Sequence, residues 1–282
     1  MANEIYSKSW WGSGVCDNTV NWGLVYKPYA GCAPSESFLL DEYGGATAAY
    51  SLRNLSSTTT SVVRVRRSSD NTEQDFTAEE ITDGTLTTFT GTNDGFVAIW
   101  YDQSGNAVNA AQATASRQPK IVSSGSTILE GGKPVLDLSS TTYFDLNSLV
   151  GSSNLFSVIS LDDRQFIFSK STDGNMHMLQ RTFGGVPTYR YRKTVSDYKF
   201  SSHIVNTRFL FNFNQANNFV KQNGLQNSNT ASTPSVMSID RILSGLNGNN
   251  SVSGIIQEFI LWDNGNNNSG IETNINTYYS IY

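Results

Sequence analysis

The chain has 282 residues, a formal net charge of −5 and a pI of about 5.0; 15% of its residues are charged and 12% are aromatic. The negative charge repels phosphate backbones and anionic lipid, so nucleic acid and membrane surfaces are poor partners. No apolar run of about 18 residues occurs, and the first residues lack the pattern of a secretory signal. We therefore expect synthesis in a cytoplasm and no membrane insertion. Abundant Asn, Ser and Thr favour turns over helices and predict a β-protein with polar loops.

Residues 1–36 form a predicted N-terminal aromatic arm, rich in Trp and Tyr but without a clean period. The arm is too small to have its own core, so its aromatic side chains pack either on the main domain or on an assembly partner. A bridge between Cys16 and Cys32 would stabilise the arm by about 3 kcal/mol, whereas a reducing cytoplasm favours two free thiols. His177 and His203 are distant in sequence and no cysteine pair has ligand spacing, so no metal site is predicted.

Residues 37–282 carry the pattern of a single β-sandwich domain. A segment of this length is common for this architecture. Apolar residues at helical spacing predict a short helix over Ala46–Leu55. Ser61–Arg67 alternates apolar and basic residues, which predicts a half-buried strand, and Glu73–Thr77 follows as its partner strand. Gly95–Tyr101 is a strongly apolar strand that ends in a turn-forming segment.

Strand patterns then recur at the short spacing typical of a sandwich. They cover Pro134–Leu138, Phe156–Leu161, Gln165–Ser169, His177–Thr182, Thr188–Lys193, Thr207–Asn214 and Asp240–Leu243. Asn223-Gly224 is the strongest turn signal in the chain and predicts a hairpin between Asn218–Gln222 and Leu225–Asn227.

Two further elements are predicted near the C-terminus. Both alternating sets of side chains in Gly254–Asp263 are mostly apolar, which is typical of a strand covered on both faces. Ser269 and Glu272 match the S-x-x-E pattern of a capping box. Ile271 and Ile275 follow at helical spacing, so a C-terminal helix is predicted.

Three segments together resemble concanavalin-like sandwiches: Ala48–Asn71, Ala98–Val122 and Gly254–Asp263. RVRRSSDN in the first and WYDQSGN in the second resemble the catalytic-domain family of the fungal α-L-arabinofuranosidases B. The third, with VKQNGL at 220–225, resembles the closing strands of laminin-G-like domains. The ending GIETNINTYYSIY at 270–282 resembles bacteriophage structural proteins. The implied fold is all-β, a concanavalin-like antiparallel β-sandwich of jelly-roll type with a few short helices, including a C-terminal one.

The resemblance does not supply a catalytic residue. The arabinofuranosidase family places its nucleophile in an Asp-x-Glu segment within an insert that has neighbouring cysteines, and neither pattern occurs here. A retaining glycosidase needs two carboxyl groups about 5 Å apart. Glu258 and Asp263 are the strongest candidates for such a pair, although a buried or edge-paired Glu258 and a turn at Asp263 are the favoured interpretation.

The candidate ligand contacts are Asp102, Gln103, Tyr189, Tyr191 and Trp262. Tyr189 and Tyr191 share one face of a strand and form either an exposed platform for a sugar or part of the core, with the core favoured. Asp102 and Gln103 close the WYDQSGN segment at a strand end, where ligand loops are common, although a structural turn is the simpler interpretation. No cofactor is predicted. A calcium ion in an Asp/Asn loop is an alternative that no EF-hand-like spacing supports.

Two functions from different classes follow from these patterns. In the first, the chain is a non-enzymatic structural or adhesin protein of a bacteriophage, located in the virion, that contacts other virion proteins and a host surface glycan. The resemblance to phage fibres implies a homo-oligomer, with a trimer favoured. In the second, the chain is a glycoside hydrolase of arabinofuranosidase type that acts on polysaccharide.

Overall fold

The computed structural model defines the part of the chain that can be described. This part comprises residues 37–139, 141–162, 165–172, 177–183, 186–193, 196–201, 207–217, 219–228, 236–244, 252–263 and 268–282. The chain divides into two units, Met1–Ser37 and Phe38–Tyr282. The predicted arm of residues 1–36, with Cys16 and Cys32, lies outside the described residues, so the structure says nothing about the arm or about a disulfide.

Strands account for most of the regular structure in the second unit. Numbered β1 to β21 in chain order, they are Ala46–Ser51, Val63–Arg67, Glu73–Phe76, Gly95–Trp100, Ala110–Ala111, Lys120–Ser123, Ser126–Thr127, Leu129–Glu130, Lys133–Pro134, Leu136–Leu138, Phe144–Ser152, Asn154–Leu161, Gln165–Ser169, His177–Phe183, Val186–Lys193, Ser196–Ser201, Phe209–Asn214, Phe219–Gln222, Leu225–Ser228, Met237–Ile242 and Gly254–Trp262. The helices are α1 Leu39–Glu42, α2 Ala78–Thr82, α3 Thr85–Thr90 and α4 Asn268–Tyr279, with a 3-10 turn at Ala115–Arg117.

The strands form two layers, and every strand pair in the described ranges is antiparallel. Sheet A has the order β19-β18-β17-β12-β21, and the other edge of β21 pairs with β1 and β10. Sheet B has the order β3-β2-β4-β5-β11-β20-β13-β14-β15-β16. Strand β6 pairs with β4 and with β10, so it links the two sheets along one side. The predicted all-β antiparallel sandwich is confirmed.

The main core fills the space between the two sheets. Val63 and Val65 of β2 are fully buried in it, whereas Arg64 and Arg66 point outward, as their alternation predicts. The predicted hairpin is also confirmed. It joins β18 to β19, and positive φ angles of 50° at Asn223 and 74° at Gly224 close it.

A second core lies on the outer face of sheet A, beneath α4. Ile260 and Trp262 of β21 pack there against Ile271 and Ile275 of the helix. Phe259, one position earlier than Ile260, instead belongs to the core between the sheets. Strand β21 is therefore buried on both faces, which explains why both of its alternating sets are apolar.

The predicted helix over Ala46–Leu55 is wrong, because its first six residues form strand β1. Those residues pair with β21, and Ala48, Ala49 and Tyr50 are fully buried. Alanine and leucine at helical spacing suit a helix, but hydrogen bonding to the edge of β21 decides the outcome here, since tertiary context overrides weak local propensity.

The N-terminal caps of two helices, α4 and α2, differ from the prediction. Helix α4 begins at Asn268, so Ser269 lies within its first turn, and Glu272 forms an ion pair with Lys221 at 3.0 Å. A complete capping box occurs instead at α2, where Thr77 accepts a hydrogen bond from the Glu80 amide and Glu80 bonds the Thr77 amide. The sequence contains this T-x-x-E pattern, but the helix is too short for a clear apolar stripe.

Within the described ranges, no helix has both the length and the apolar character required to cross a bilayer.

Candidate ligand-binding site

Asp102 organises the turn that follows β4. Its carboxylate accepts hydrogen bonds from the backbone amides of Ala49 at 2.8 Å, Ser104 at 2.9 Å and Val108 at 3.0 Å, and from the Ser104 hydroxyl at 2.8 Å. A carboxylate that accepts four such bonds holds a loop in one conformation. The structural interpretation of Asp102 is therefore the one the structure supports.

Gln103 is buried and ties the loop between β1 and β2 to the same turn. Its side-chain oxygen accepts from the Leu55 amide at 2.7 Å and from the Thr59 hydroxyl at 3.1 Å. Its side-chain nitrogen donates to the carbonyls of Ser51 at 3.0 Å and Arg53 at 3.1 Å. All its hydrogen-bonding capacity is used, so Gln103 fixes the wall of any site beside it.

A polar cleft of about 330 Å³ opens where these two segments meet. Its lining consists of small hydroxyl side chains, acids, one tyrosine and one amide: Thr58, Thr59, Thr60, Ser61, Asp75, Tyr101, Asp102, Gln103 and Gly105. Two of the sequence-predicted residues, Asp102 and Gln103, therefore lie at a cleft, but their own polar groups are occupied by the protein.

Asp75 and Tyr101 provide the cleft with a fixed pattern of charge. Asp75 accepts two hydrogen bonds from Arg64, at 2.7 and 3.0 Å, and one from the Tyr101 hydroxyl at 2.8 Å. The Arg64 guanidinium lowers the pKa of Asp75. Burial, assisted by the bond to Asp75, raises the pKa of Tyr101 to about 12. At neutral pH the cleft thus has an ionised acceptor beside a protonated hydroxyl.

This arrangement suits binding better than bond cleavage. A glycosidase needs one carboxyl group that remains protonated at working pH beside one that is ionised. The lowered pKa of Asp75 removes it as the acid, and the carboxylate of Asp102 is saturated by the turn. Sequence reasoning missed Asp75 because it lies 26 residues from Tyr101, and only the pairing of β2 with β3 and β4 brings the two together.

Replacing Asp75 with Asn is expected to lower the free energy of unfolding by less than about 1 kcal/mol at pH 7, since the pair with Arg64 is largely exposed and screened. The folded-state pKa of Asp75 is lowered, so the pair stabilises the protein above the ordinary Asp pKa of about 3.9 and is lost as the pH falls through the folded-state value. Urea unfolding should therefore show a constant difference between the two proteins from about pH 5 to 8 that disappears as the pH falls through the lowered pKa of Asp75. A difference that grows in acid would contradict this assignment.

Tyr189 and Tyr191 lie in the core and not on a surface. Both are fully buried in the space between the sheets. The ring centroid of Tyr189 is 4.8 Å from that of Phe211, and that of Tyr191 is 5.0 Å from that of Phe213. The core interpretation therefore holds, and the exposed sugar platform is excluded.

Trp262 is likewise inaccessible, at 1% exposure beneath α4. Its ring packs edge-on against Phe156 with centroids 5.5 Å apart. The sequence pattern predicts that such an aromatic residue lies in a strand. It does not predict which face of the strand is accessible to a ligand when both faces are covered. Among the residues that the structure describes, Trp262 is thus part of the core and not of an exposed surface.

Glu258 is fully buried and forms an ion pair. Its carboxylate accepts from Arg53 at 2.9 Å and from the Ser51 hydroxyl at 2.8 Å, and the Tyr279 hydroxyl lies at 3.2 Å. Asp263 is five residues further along the chain, which corresponds to roughly 16 Å along an extended strand and to the opposite face. The two carboxyl groups do not converge, and the structural interpretation of Glu258 is confirmed.

No metal site is evident in the described residues, where no group of three or more His, Cys, Asp or Glu side chains is close enough to hold an ion. His203 lies outside these residues. The calcium alternative remains a prediction without structural support.

Solved structures with a similar fold include two arabinofuranosidases. One is complexed with arabinofuranosyl-α-1,2-xylobiose, with a TM-score of 0.53, and the other is a GH54 α-L-arabinofuranosidase soaked with a cyclic sulfate inhibitor, with a TM-score of 0.52. Each is 15% identical over 82% of this chain and 62% of its own length. This chain therefore spans less than two thirds of those enzymes, and the likeness at this identity concerns the fold alone. A receptor binding domain matches at 11% identity over 78% of this chain and 50% of its own, but its TM-score of 0.28 is too low to support an argument.

No family model matches the chain, and no curated protein matches it. The fold and the cleft together define its class: an antiparallel β-sandwich of the architecture seen in GH54 arabinofuranosidases, with a polar cleft at the end of β4.

Proposed function

We propose that the protein is a non-catalytic carbohydrate-binding sandwich whose ligand occupies the cleft beside Tyr101. The observation that supports this most strongly is the cleft's lining, in which hydroxyl groups, an ionised Asp75 and the tyrosine surround about 330 Å³ of space. Sugars are bound by hydrogen bonds from their hydroxyls to such groups and by packing of their C–H faces on an aromatic ring.

Tyr101→Ala is expected to weaken binding by about tenfold, since an aromatic contact contributes about 0.5–1.5 kcal/mol beyond its buried area. Binding is measured against an immobilised panel of dextran, arabinan, polygalacturonate and dextran sulfate. Tyr282→Ala is the matched control, because Tyr282 is 55% exposed and does not line the cleft. Equal affinities for Tyr101→Ala and wild type, with both folded by circular dichroism, would contradict the cleft assignment.

The alternative function is glycoside hydrolysis, which the likeness to arabinofuranosidase folds suggests. Against it, Glu258 is sealed in the core and does not converge with Asp263, while Asp102 and Asp75 are committed to the turn and to Arg64. We expect no release of 4-nitrophenol from 4-nitrophenyl α-L-arabinofuranoside and no products from arabinan. Turnover that persists through purification and tracks the protein would overturn the binding proposal.

The biological setting that we propose is a bacteriophage virion, and this rests on the sequence resemblance. In that setting the sandwich binds a host surface glycan, and the chain contacts other virion proteins as a homo-oligomer, with a trimer favoured. Mass spectrometry of purified particles tests the location, and light scattering of the purified chain tests the trimer. A monomer absent from particles would overturn this part of the proposal without affecting the cleft.

A further inference from the structure

Cationic side chains on the outer side of sheet B are stacked on aromatic rings. Above the Phe96 ring, the Arg66 guanidinium carbon lies 4.9 Å and the Lys120 nitrogen 5.6 Å from the centroid. The Tyr143 ring is flanked by two arginines, whose guanidinium carbons lie at 5.5 Å for Arg117 and 4.9 Å for Arg241. Stacking on a ring holds a guanidinium in one orientation.

Most cations in this region are neutralised by a neighbouring carboxylate. The pairs are Arg64–Asp75, Arg67–Asp70, Lys120–Asp94 and Arg241–Asp145, at 2.6 to 2.8 Å. Within the described residues, Arg66 and Arg117 have no carboxylate partner. Arg66 and Arg117 thus form no ion pair in this region, although Glu73 lies opposite Arg66 in the pairing of β2 with β3.

The partners of Arg66 are all neutral. Its guanidinium donates to the side-chain oxygen of Gln118 at 2.7 Å, to that of Asn71 at 2.8 Å and to the Ala115 carbonyl at 3.4 Å. These contacts fix its position without cancelling its charge.

Arg117 has unused hydrogen-bonding capacity. One of its nitrogens, Nη1, donates to the Tyr143 hydroxyl at 2.9 Å. In the described part of the chain, its Nε and Nη2 groups have no hydrogen-bond partner, and the side chain is half-buried. An oriented guanidinium with an open Nε–Nη2 edge is the geometry that binds a carboxylate or sulfate with two parallel hydrogen bonds.

Arg66 is linked to the wall of the proposed sugar cleft through strand β2, and to Arg117 through the segment before it. Arg64, which binds Asp75 in the cleft wall, and Arg66 point to the same side of β2 and are about 7 Å apart along the strand. Arg66 in turn contacts Ala115, two residues before Arg117. Arg66 therefore lies between the strand that carries Arg64 and the segment that carries Arg117.

We infer that the ligand of the cleft is an acidic polysaccharide, whose carboxylate or sulfate groups bind at Arg66 and Arg117 while a neighbouring sugar ring occupies the cleft. This inference rests on the proposed function and specifies its ligand class. The protein's overall negative charge repels acidic polymers, so binding depends on this local pair of charges and weakens as salt is raised.

The experiment compares wild type with Arg117→Gln and Arg66→Gln for binding to immobilised polygalacturonate, dextran sulfate and dextran. We expect tighter binding to an acidic polymer than to dextran, and a loss of about tenfold or more in each variant, as charge-assisted hydrogen bonds predict. Lys133→Gln is the control, because it removes the same charge from a side chain stacked on Tyr278 of α4, away from sheet B. Its affinity should stay within about twofold of wild type.

The outcomes separate the two proposals. Preference for polygalacturonate assigns the acidic group as a carboxylate, and preference for dextran sulfate assigns it as a sulfate; either supports the inference. Equal binding of dextran and acidic polymers, with no effect of Arg117→Gln, overturns the inference but leaves the carbohydrate-binding function standing. Binding to none of the panel, arabinan included, overturns both. Single-stranded DNA is added as a further probe: if it alone binds, and binding is lost in Arg117→Gln, the arginine recognises phosphodiester groups and the inference is overturned.

Discussion

Replacing Glu258 with Gln is expected to lower the free energy of unfolding by about 3–5 kcal/mol, because it leaves the largely buried Arg53 guanidinium without its counter-charge. Burial lowers the pKa of Arg53, and the attraction of Glu258 more than offsets this, so its pKa is raised overall. Arg53 also lies 4.5 Å above the Tyr278 ring, so the pair anchors α4 to sheet A. Urea unfolding followed by tryptophan fluorescence measures the effect.

Two controls test this explanation. The double variant Arg53→Met/Glu258→Met removes both charges and should recover much of the loss, since apolar replacement of a buried pair is often close to neutral. Asp70→Asn breaks the exposed pair with Arg67 and should leave the stability close to that of wild type, because solvent screens an exposed pair. A negligible change in stability for Glu258→Gln, coupled with loss of a glycosidase activity, would instead assign Glu258 a catalytic role.

Gly254→Ala is expected to destabilise the fold by about 4 kcal/mol or more, combining an unfavourable backbone conformation with a steric clash. Gly254 begins β21 at a φ of 134°, which L-residues rarely adopt, and an added Cβ would lie 2.0 Å from the Ser160 carbonyl oxygen. That oxygen belongs to β12, so the clash forces apart two central strands of sheet A.

Gly132→Ala is the matched control for the backbone term. Gly132 has a φ of 74°, and an added Cβ would meet nothing within 4 Å. We expect a cost of about 1–2 kcal/mol from the left-handed conformation alone. Thermal unfolding of the two variants separates the backbone contribution from the steric clash. Equal losses of stability would show that the close approach to Ser160 has no effect of its own.

Much of the sandwich follows from local pattern. The alternation of Val63 and Val65 with arginines is sufficient to place one face of β2 in the core, because neighbouring side chains of a strand point in opposite directions. Asn223-Gly224 specifies its hairpin because the turn needs two positive φ angles.

The site was less predictable from the sequence. Asp102 and Gln103 were found because turn-forming residues at a strand end are visible in the chain. Asp75, Arg66 and Arg117 were not found as ligand contacts, since their significance depends on which charges lack partners, and that depends on residues brought together from separate strands.

By itself, the amino-acid sequence determined the fold class, most strands, the hairpin and the C-terminal helix, because each depends on hydrophobic period and turn chemistry within a short segment. Only the tertiary structure decided that Ala46–Ser51 is a strand, that Tyr189 and Tyr191 face the core, and that Arg53 neutralises Glu258 across 205 positions. These outcomes depend on contacts between distant segments, where burial and hydrogen bonding outweigh the small differences in local propensity.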